Sequence, residues 1–191
     1  MFSRQGHFTL GHSTAAVSGL VTRAENNKAL GVDSYFLDPL EIKKMLPEID
    51  ISDHPRFPVH GALYHPPGGI IRHDAVVWAY ARGAERKGAQ IHQLTEVQDI
   101  LVENGKVSGV VTNRGTVSCN TVISVVAGWS SEVCKKVNVK LPFVTHPLQA
   151  LVTQSYKPWL NHVVVSGTLH IYLSQTDRGE LVCGNGIDTY P

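Results

Sequence analysis

The stretch from Gly61 to Gly88 constrains this chain more than any other. Gly61-Ala62-Leu63-Tyr64-His65 has the small and apolar residues of a strand. Pro66-Pro67-Gly68-Gly69 stops it, because proline lacks the ladder N–H and glycine opens backbone conformations closed to other residues. From Asp74 the apolar Val77, Tyr80, Ala81 and Ala84 recur at helical spacing. Arg82, Arg86 and Lys87 suit the negative end of that helix, and Gly88 closes it. The expected path is strand, glycine turn and helix, with Arg72-His73-Asp74 at the joint. Such a joint presents unpaired backbone N–H groups, which stabilise an anion.

A second joint follows at Val125-Val126-Ala127-Gly128-Trp129-Ser130-Ser131. The run Thr121–Val126 is almost continuously apolar, as in a strand covered on both faces. Gly128 would let the backbone approach a flat ligand closely, and a short helix is expected to about Val137. Ordinary α/β turns use glycines in the same way, and both uses remain open on the residues alone.

The other elements bracket these joints. Gln5–Leu10 reads as a strand, and Ser13 caps a helix running to Leu30 and Gly31. Val32–Leu37 is a short strand. Asp38-Pro39-Leu40-Glu41 then has the spacing of a capping box with proline at the first helical position, and Pro47 ends that helix. After Gly88, strands are expected at Ile91–Thr95 and Glu96–Glu103. Asn104-Gly105 is a strong hairpin turn, Val107–Thr112 returns, and Thr116–Asn120 follows a turn at Asn113-Arg114-Gly115. Leu148–Gln154, His162–Ser166, His170–Gln175 and Glu180–Gly184 read as an antiparallel sheet, with a hairpin loop at Thr176-Asp177-Arg178-Gly179. His170 and Tyr172 lie two apart on one strand and so share a face, which suits a pocket wall or a sheet edge equally. Gly184-Asn185-Gly186 begins like a GxGxxG turn, but Thr189 occupies the last position and no helix follows, so it is not a nucleotide fingerprint.

Composition narrows the function by exclusion. A formal net charge of +1 gives no electrostatic basis for nucleic-acid binding. The longest apolar runs are too short to span a bilayer, and the first residues lack the pattern of a secretory signal. Three widely spaced cysteines do not make a disulfide scaffold, so a reducing cytoplasm is the expected location. The chain has ten histidines but no zinc spacing, and no metal site is expected.

From Gly61 through Trp78 the chain closely resembles the β subunits of heterotetrameric sarcosine oxidases, within the D-amino-acid-oxidase-like family of flavoproteins. The resemblance continues through Thr95-Glu96-Val97, Asn113-Arg114-Gly115, Ala127–Ser131, Pro147–Val152 and Leu169–Val182. It implies a mixed α/β chain: part of an FAD/NAD(P)-binding fold joined to an antiparallel substrate-binding subdomain. The family's N-terminal GxGxxG βαβ unit and its C-terminal glycine-rich flavin contact have no counterpart here, so an internal fragment is expected. The implied divisions are a helical, substrate-side segment over 1–60, the middle of the FAD domain with its β-meander over 61–140, and the substrate sheet over 141–191.

The resemblance also implies roles. Val97 would meet the FAD adenine through its backbone, and Ala127, Gly128 and Trp129 would pass close to the non-covalently bound dinucleotide. His73 would carry FMN covalently, with Arg72 near its phosphate. His170 and Tyr172 would line the amine pocket. The implied reaction is oxidative demethylation of sarcosine to glycine. Electrons would pass from FAD to FMN to oxygen, giving hydrogen peroxide, and the one-carbon unit would pass to tetrahydrofolate. The implied partners are α, γ and δ subunits. A truncated remnant that binds no flavin, or a related dimethylglycine or sarcosine dehydrogenase or glycine oxidase, are the alternatives.

Overall fold

A computed structural model of the chain describes residues 2–187. They form two compact units, one built from residues up to Val77 together with those from Leu148, the other from Trp78–Pro147.

The first unit is built on strands β1 (Phe2–Arg4), β2 (His7–Gly11), β3 (Tyr35–Leu37), β4 (Gly61–His65) and β5 (Gly69–Ile71) and helices α1 (Thr14–Ala29) and α2 (Pro39–Met45). The caps form where the sequence places them. Ser13 accepts from Ala16 N at the start of α1, and Gly31 follows its end at φ +75°. Asp38 and Glu41 form a complete capping box: Glu41 N donates to Asp38 Oδ1 at 2.8 Å and Asp38 N to Glu41 Oε2 at 2.9 Å. Each cap satisfies helix N–H groups that would otherwise have only water.

Helix α3 (His73–Glu85) follows β5. Strands β6 (Val97–Glu103), β7 (Lys106–Thr112) and β8 (Gly115–Ser118) form the three-stranded meander of the second unit. Asn104 and Gly105 both have positive φ, 53° and 75°, which matches the twist of a two-residue hairpin. A 3-10 turn at Ala127–Trp129 leads into α4 (Ser130–Lys135). Strands β9 (Leu148–Val152), β10 (Val163–Ser166), β11 (Ile171–Gln175) and β12 (Leu181–Ile187) then return to the first unit.

Its seven-stranded sheet has the order β3-β4-β2-β10-β11-β12-β9. All neighbours are antiparallel except β2 and β10, which run parallel with Phe8 opposite Val164. The main core forms under this junction from Phe8, Ile42, Leu46, Val59, Ala62 and Leu160. Phe8 is fully buried, its ring 4.6 Å from that of Tyr64 and 5.2 Å from that of His162. Helix α1 covers the sheet through Leu20 and Ala24, one turn apart, against Leu63.

Three expectations need correction. The glycine pair is not the strand–helix joint. Gly69 begins β5, which pairs with β1, and a Cβ there would stand 2.0 Å from the Ser3 carbonyl oxygen. Gly69 is thus required by close backbone approach, and the joint is Ile71-Arg72-His73. Ile91–Thr95 is not a strand: Leu94 takes φ 54°, incompatible with extended pairing, and is exposed. Thr121–Val126 is not a strand either. Among the described residues no strand pairs with it, and Ile123 and Val125 are more than four-fifths exposed. Apolar composition favours cover, but a strand also needs a hydrogen-bonding neighbour. Gly184-Asn185-Gly186 lies within β12, while Thr189 falls outside the described residues.

Candidate functional site

In the first unit His170 and Tyr172 line one cavity of about 710 Å³, together with Val165, Ser166, Leu169 and Leu148. His170 closes the β10–β11 turn at φ 50°, an uncommon conformation for a residue with a side chain. Because of that turn, strict strand alternation does not apply to His170, and the cavity is what brings it beside Tyr172. The Tyr172 ring lies over Gly184, where a Cβ would come within 2.0 Å of a ring carbon.

The turn is held by residues that sequence reasoning missed. The nearly buried Ser166 Oγ lies 2.9 Å from His12 Nε2 and accepts from Leu169 N at 3.1 Å. His12 Nδ1 faces the carbonyls of Phe57 and Pro58 at 3.0 and 3.1 Å. Carbonyls only accept, so Nδ1 carries the ring proton and Ser166 donates its hydroxyl proton to Nε2. The two residues are 154 apart in sequence, and no local signal links them.

Arg72 lines a different cleft of the same unit, about 510 Å³, bounded by Phe2, Gln5 and Ile70 on one side and the β11–β12 hairpin on the other. Its guanidinium donates to Asp74 Oδ2 at 3.2 Å. The Asp74 carboxyl is held below its ordinary range, first by the Ala75 backbone N–H and then by Arg72. His73 opens α3 and is exposed. The hairpin opposite is fixed by Gln175, whose side chain is buried and fully bonded. Gln175 Oε1 accepts from Trp159 N and Leu160 N at 2.8 and 3.0 Å, while Nε2 donates to the carbonyls of Lys157 and Gly179 at 3.0 and 2.9 Å.

In the second unit Gly128 lines a cavity of about 370 Å³ with Ser131, Lys135, Val144 and Thr145. Ala127 has φ 44°, and its carbonyl accepts from Ser130 Oγ at 2.7 Å. The Gly128 carbonyl accepts from Thr145 Oγ1 at 3.0 Å. Trp129 is 72% exposed, so it is not a core anchor of this unit. Ser131 Oγ is shut off from solvent without a hydrogen-bond partner among the described residues. The same cavity is thus lined by the Gly128 turn and by Ser131, whose hydroxyl is unsatisfied. Val97 begins β6 opposite Thr112, next to a register shift between Val97 and Asp99. Asn113 fixes that corner, exchanging bonds between its own N–H and side chain and the Glu96 backbone.

The first unit thus carries a cavity edged by a histidine and a tyrosine, and the second a cavity lined by a glycine turn. The chain belongs to the FAD dependent oxidoreductase family, whose pattern matches residues 1–190. It is 44% identical over 190 residues to sarcosine oxidase subunit beta of an Arthrobacter species and 43% identical to that of Rhizobium meliloti. All of this chain is matched, and it spans 47% and 45% of those relatives. Among solved structures, L-proline dehydrogenase from P. horikoshii superposes with a TM-score of 0.83 at 27% identity, covering 99% of this chain and 51% of that one. Glycine oxidase from Bacillus cereus, at TM-score 0.76 and 24% identity, shares the fold over 100% of this chain and 51% of its own. No helix among the described residues is long and apolar enough to cross a membrane.

Proposed function

We propose that the chain is the central part of a flavin-dependent amine oxidoreductase that oxidatively demethylates sarcosine to glycine. The observation that carries this reading is the identity of 40–44% along the whole chain to three sarcosine oxidase β subunits. FAD, when bound, supplies the acceptor for the electron pair released from the N-methyl C–H bond. Gly128 and Ala127 give the dinucleotide a close backbone surface, and Val97 offers its backbone at the bulged corner of β6. His170 and Tyr172 bring an imidazole and a phenol to one cavity, where their N–H and O–H groups can hold a substrate carboxylate and orient its amine. The His12–Ser166 pair holds His170 in place.

The finer reading adds FMN bound covalently through His73, passage of electrons from FAD to FMN to oxygen with release of hydrogen peroxide, and delivery of the one-carbon unit to tetrahydrofolate in an assembly with α, γ and δ subunits in the cytoplasm. The exposed position of His73 at the start of α3 supports attachment, since its ring is open to a reacting flavin. The test is acid precipitation of the protein as expressed from its own gene, followed by flavin fluorescence of the denatured band. His73→Ala is expected to remove the acid-stable flavin and leave dissociable FAD in place. Acid-stable flavin that survives His73→Ala would refute the attachment.

A further inference from the structure

Ser166 ends β10 in the wall of the cavity that His170 and Tyr172 share, and its hydroxyl has a fixed polarity. A hydroxyl has one proton to give and two lone pairs with which to receive. The proton goes to His12 Nε2, 2.9 Å away. The direction of that bond is set from behind, because His12 Nδ1 faces two backbone carbonyls at 3.0 and 3.1 Å and must carry the ring proton. One Ser166 lone pair takes the Leu169 N–H at 3.1 Å. The second lone pair has no partner among the described residues, and Ser166 is only 3% exposed, so bulk water does not freely serve it.

This count makes Ser166 an acceptor that cannot donate. His170 and Tyr172, the other polar side chains of the lining, each bring an N–H or O–H to the same cavity. Among the described residues the lining brings no carboxylate. The wall is therefore unsymmetrical. It has donors at His170 and Tyr172, and at Ser166 an oxygen made more basic by the proton it gives to the imidazole. A ligand carboxylate is held by the donors and repelled by the Ser166 lone pair. An amine N–H is held by that lone pair. An ether oxygen in the amine's place would set lone pair against lone pair.

We propose, resting on the reading of this cavity as the amine site, that Ser166 recognises the amine of the substrate by accepting one N–H through its remaining lone pair. His12 is not part of the lining and acts through Ser166, as a positioning residue that keeps the hydroxyl proton out of the cavity. The pair thereby selects carboxylates that carry a primary or secondary amine over isosteres without an N–H.

The protein expressed from its own gene is held without oxygen and titrated with sarcosine and with methoxyacetate, and binding is followed by ligand-observed NMR. The two ligands are nearly isosteric and differ in carrying an N–H donor or an ether acceptor at one position. Both are measured within each preparation, so a partly unfolded variant lowers both alike and leaves their ratio intact. Sarcosine is expected to bind the more tightly. Ser166→Ala should weaken sarcosine about tenfold relative to methoxyacetate, as loss of a hydrogen bond to a charged group implies. Ser166→Thr, which keeps a hydroxyl, should retain most of the preference. His12→Phe keeps a ring in place but offers no acceptor, so the Ser166 proton is free to enter the cavity. The ratio should then move severalfold toward methoxyacetate, which a purely structural role of His12 would not produce. A ratio unchanged by Ser166→Ala, or unchanged by His12→Phe, would overturn the assignment. Oxygen is then admitted to the unsubstituted protein. A preference that depends on Ser166 without oxidation of sarcosine overturns the proposed demethylation and leaves Ser166 standing as an amine acceptor. Oxidation with a preference indifferent to Ser166→Ala overturns the Ser166 assignment alone, and binding of neither ligand overturns both.

Discussion

Replacing Gln175 with leucine removes an amide that bonds four backbone groups at once. Two of those bonds, to Leu160 N and to the Gly179 carbonyl, are themselves buried, and water cannot readily replace them. The other two lie nearer the surface, where hydration limits their loss. A buried backbone group left without a partner costs about 1–3 kcal/mol, so two give a destabilisation of about 2–6 kcal/mol. That is a large share of the ~5–15 kcal/mol that holds a typical domain folded. The assay is urea unfolding in a Trp78→Phe, Trp129→Phe background, so that fluorescence reports Trp159 beside the amide. Gln175→Glu supplies an internal check. It keeps the acceptors for Trp159 N and Leu160 N, but turns a carboxylate toward two carbonyls. Its deficit should shrink as acid protonates the new side chain and restores one donor. If Gln175→Leu lies within about 1 kcal/mol of the parent, or if Gln175→Glu gains nothing on acidification, the amide does not hold the hairpin.

Three further outcomes are expected. Phe8→Ala opens a cavity at the β2–β10 junction and should cost about 3–5 kcal/mol in the same urea assay, with little effect on unfolding of the second unit followed through Trp129 in a separate Trp78→Phe, Trp159→Phe background. Asp38→Ala removes the capping box of α2 and should lower stability by about 1 kcal/mol, while Asp38→Asn should recover most of it. The ring of His7 titrates below its ordinary value of 6.5, chiefly because of burial and then the nearby charges of His65 and Arg23. The unfolded chain therefore takes up a proton on this residue before the folded one does. The contribution of His7 is complete above pH 6.5 and declines as the pH falls below it. Comparing urea midpoints at about pH 7.5 and about pH 5.5 should show this loss, and His7→Asn should reduce it.

What could be read from the sequence was what the chain decides within a few residues. Ser13, the Asp38–Glu41 box and Asn104-Gly105 each act over four positions or fewer, and each appears as the local chemistry requires. The β11–β12 hairpin is visible for the same reason. The parallel pairing of β2 with β10 has no local signature, nor does the His12–Ser166 bond, because each joins residues that meet only in the folded chain. Gly69 misleads because a glycine required by an opposing strand looks the same in sequence as one required by a turn. Thr121–Val126 misleads because its apolar side chains report a preference for cover, while strand formation depends on which backbone lies alongside. Of the candidate site residues, His170 and Tyr172 were visible as a pair, but the His12–Ser166 bond beside them was not.

The place of β2 in the sheet has a consequence for biosynthesis. Its hydrogen-bonding edge toward β10 is made early, yet the partner emerges from the ribosome only after more than a hundred further residues, as the separation of His12 from Ser166 shows. During that interval β3, β4 and β2 can assemble as a three-stranded layer with Phe8 and one strand edge uncovered. Closing so long a loop is slow, and an open edge beside an apolar side chain is a template for mispairing with another nascent chain. The yield of native protein should therefore depend on translation rate and chaperone supply across the meander-coding region, more than on the final stability of the sheet.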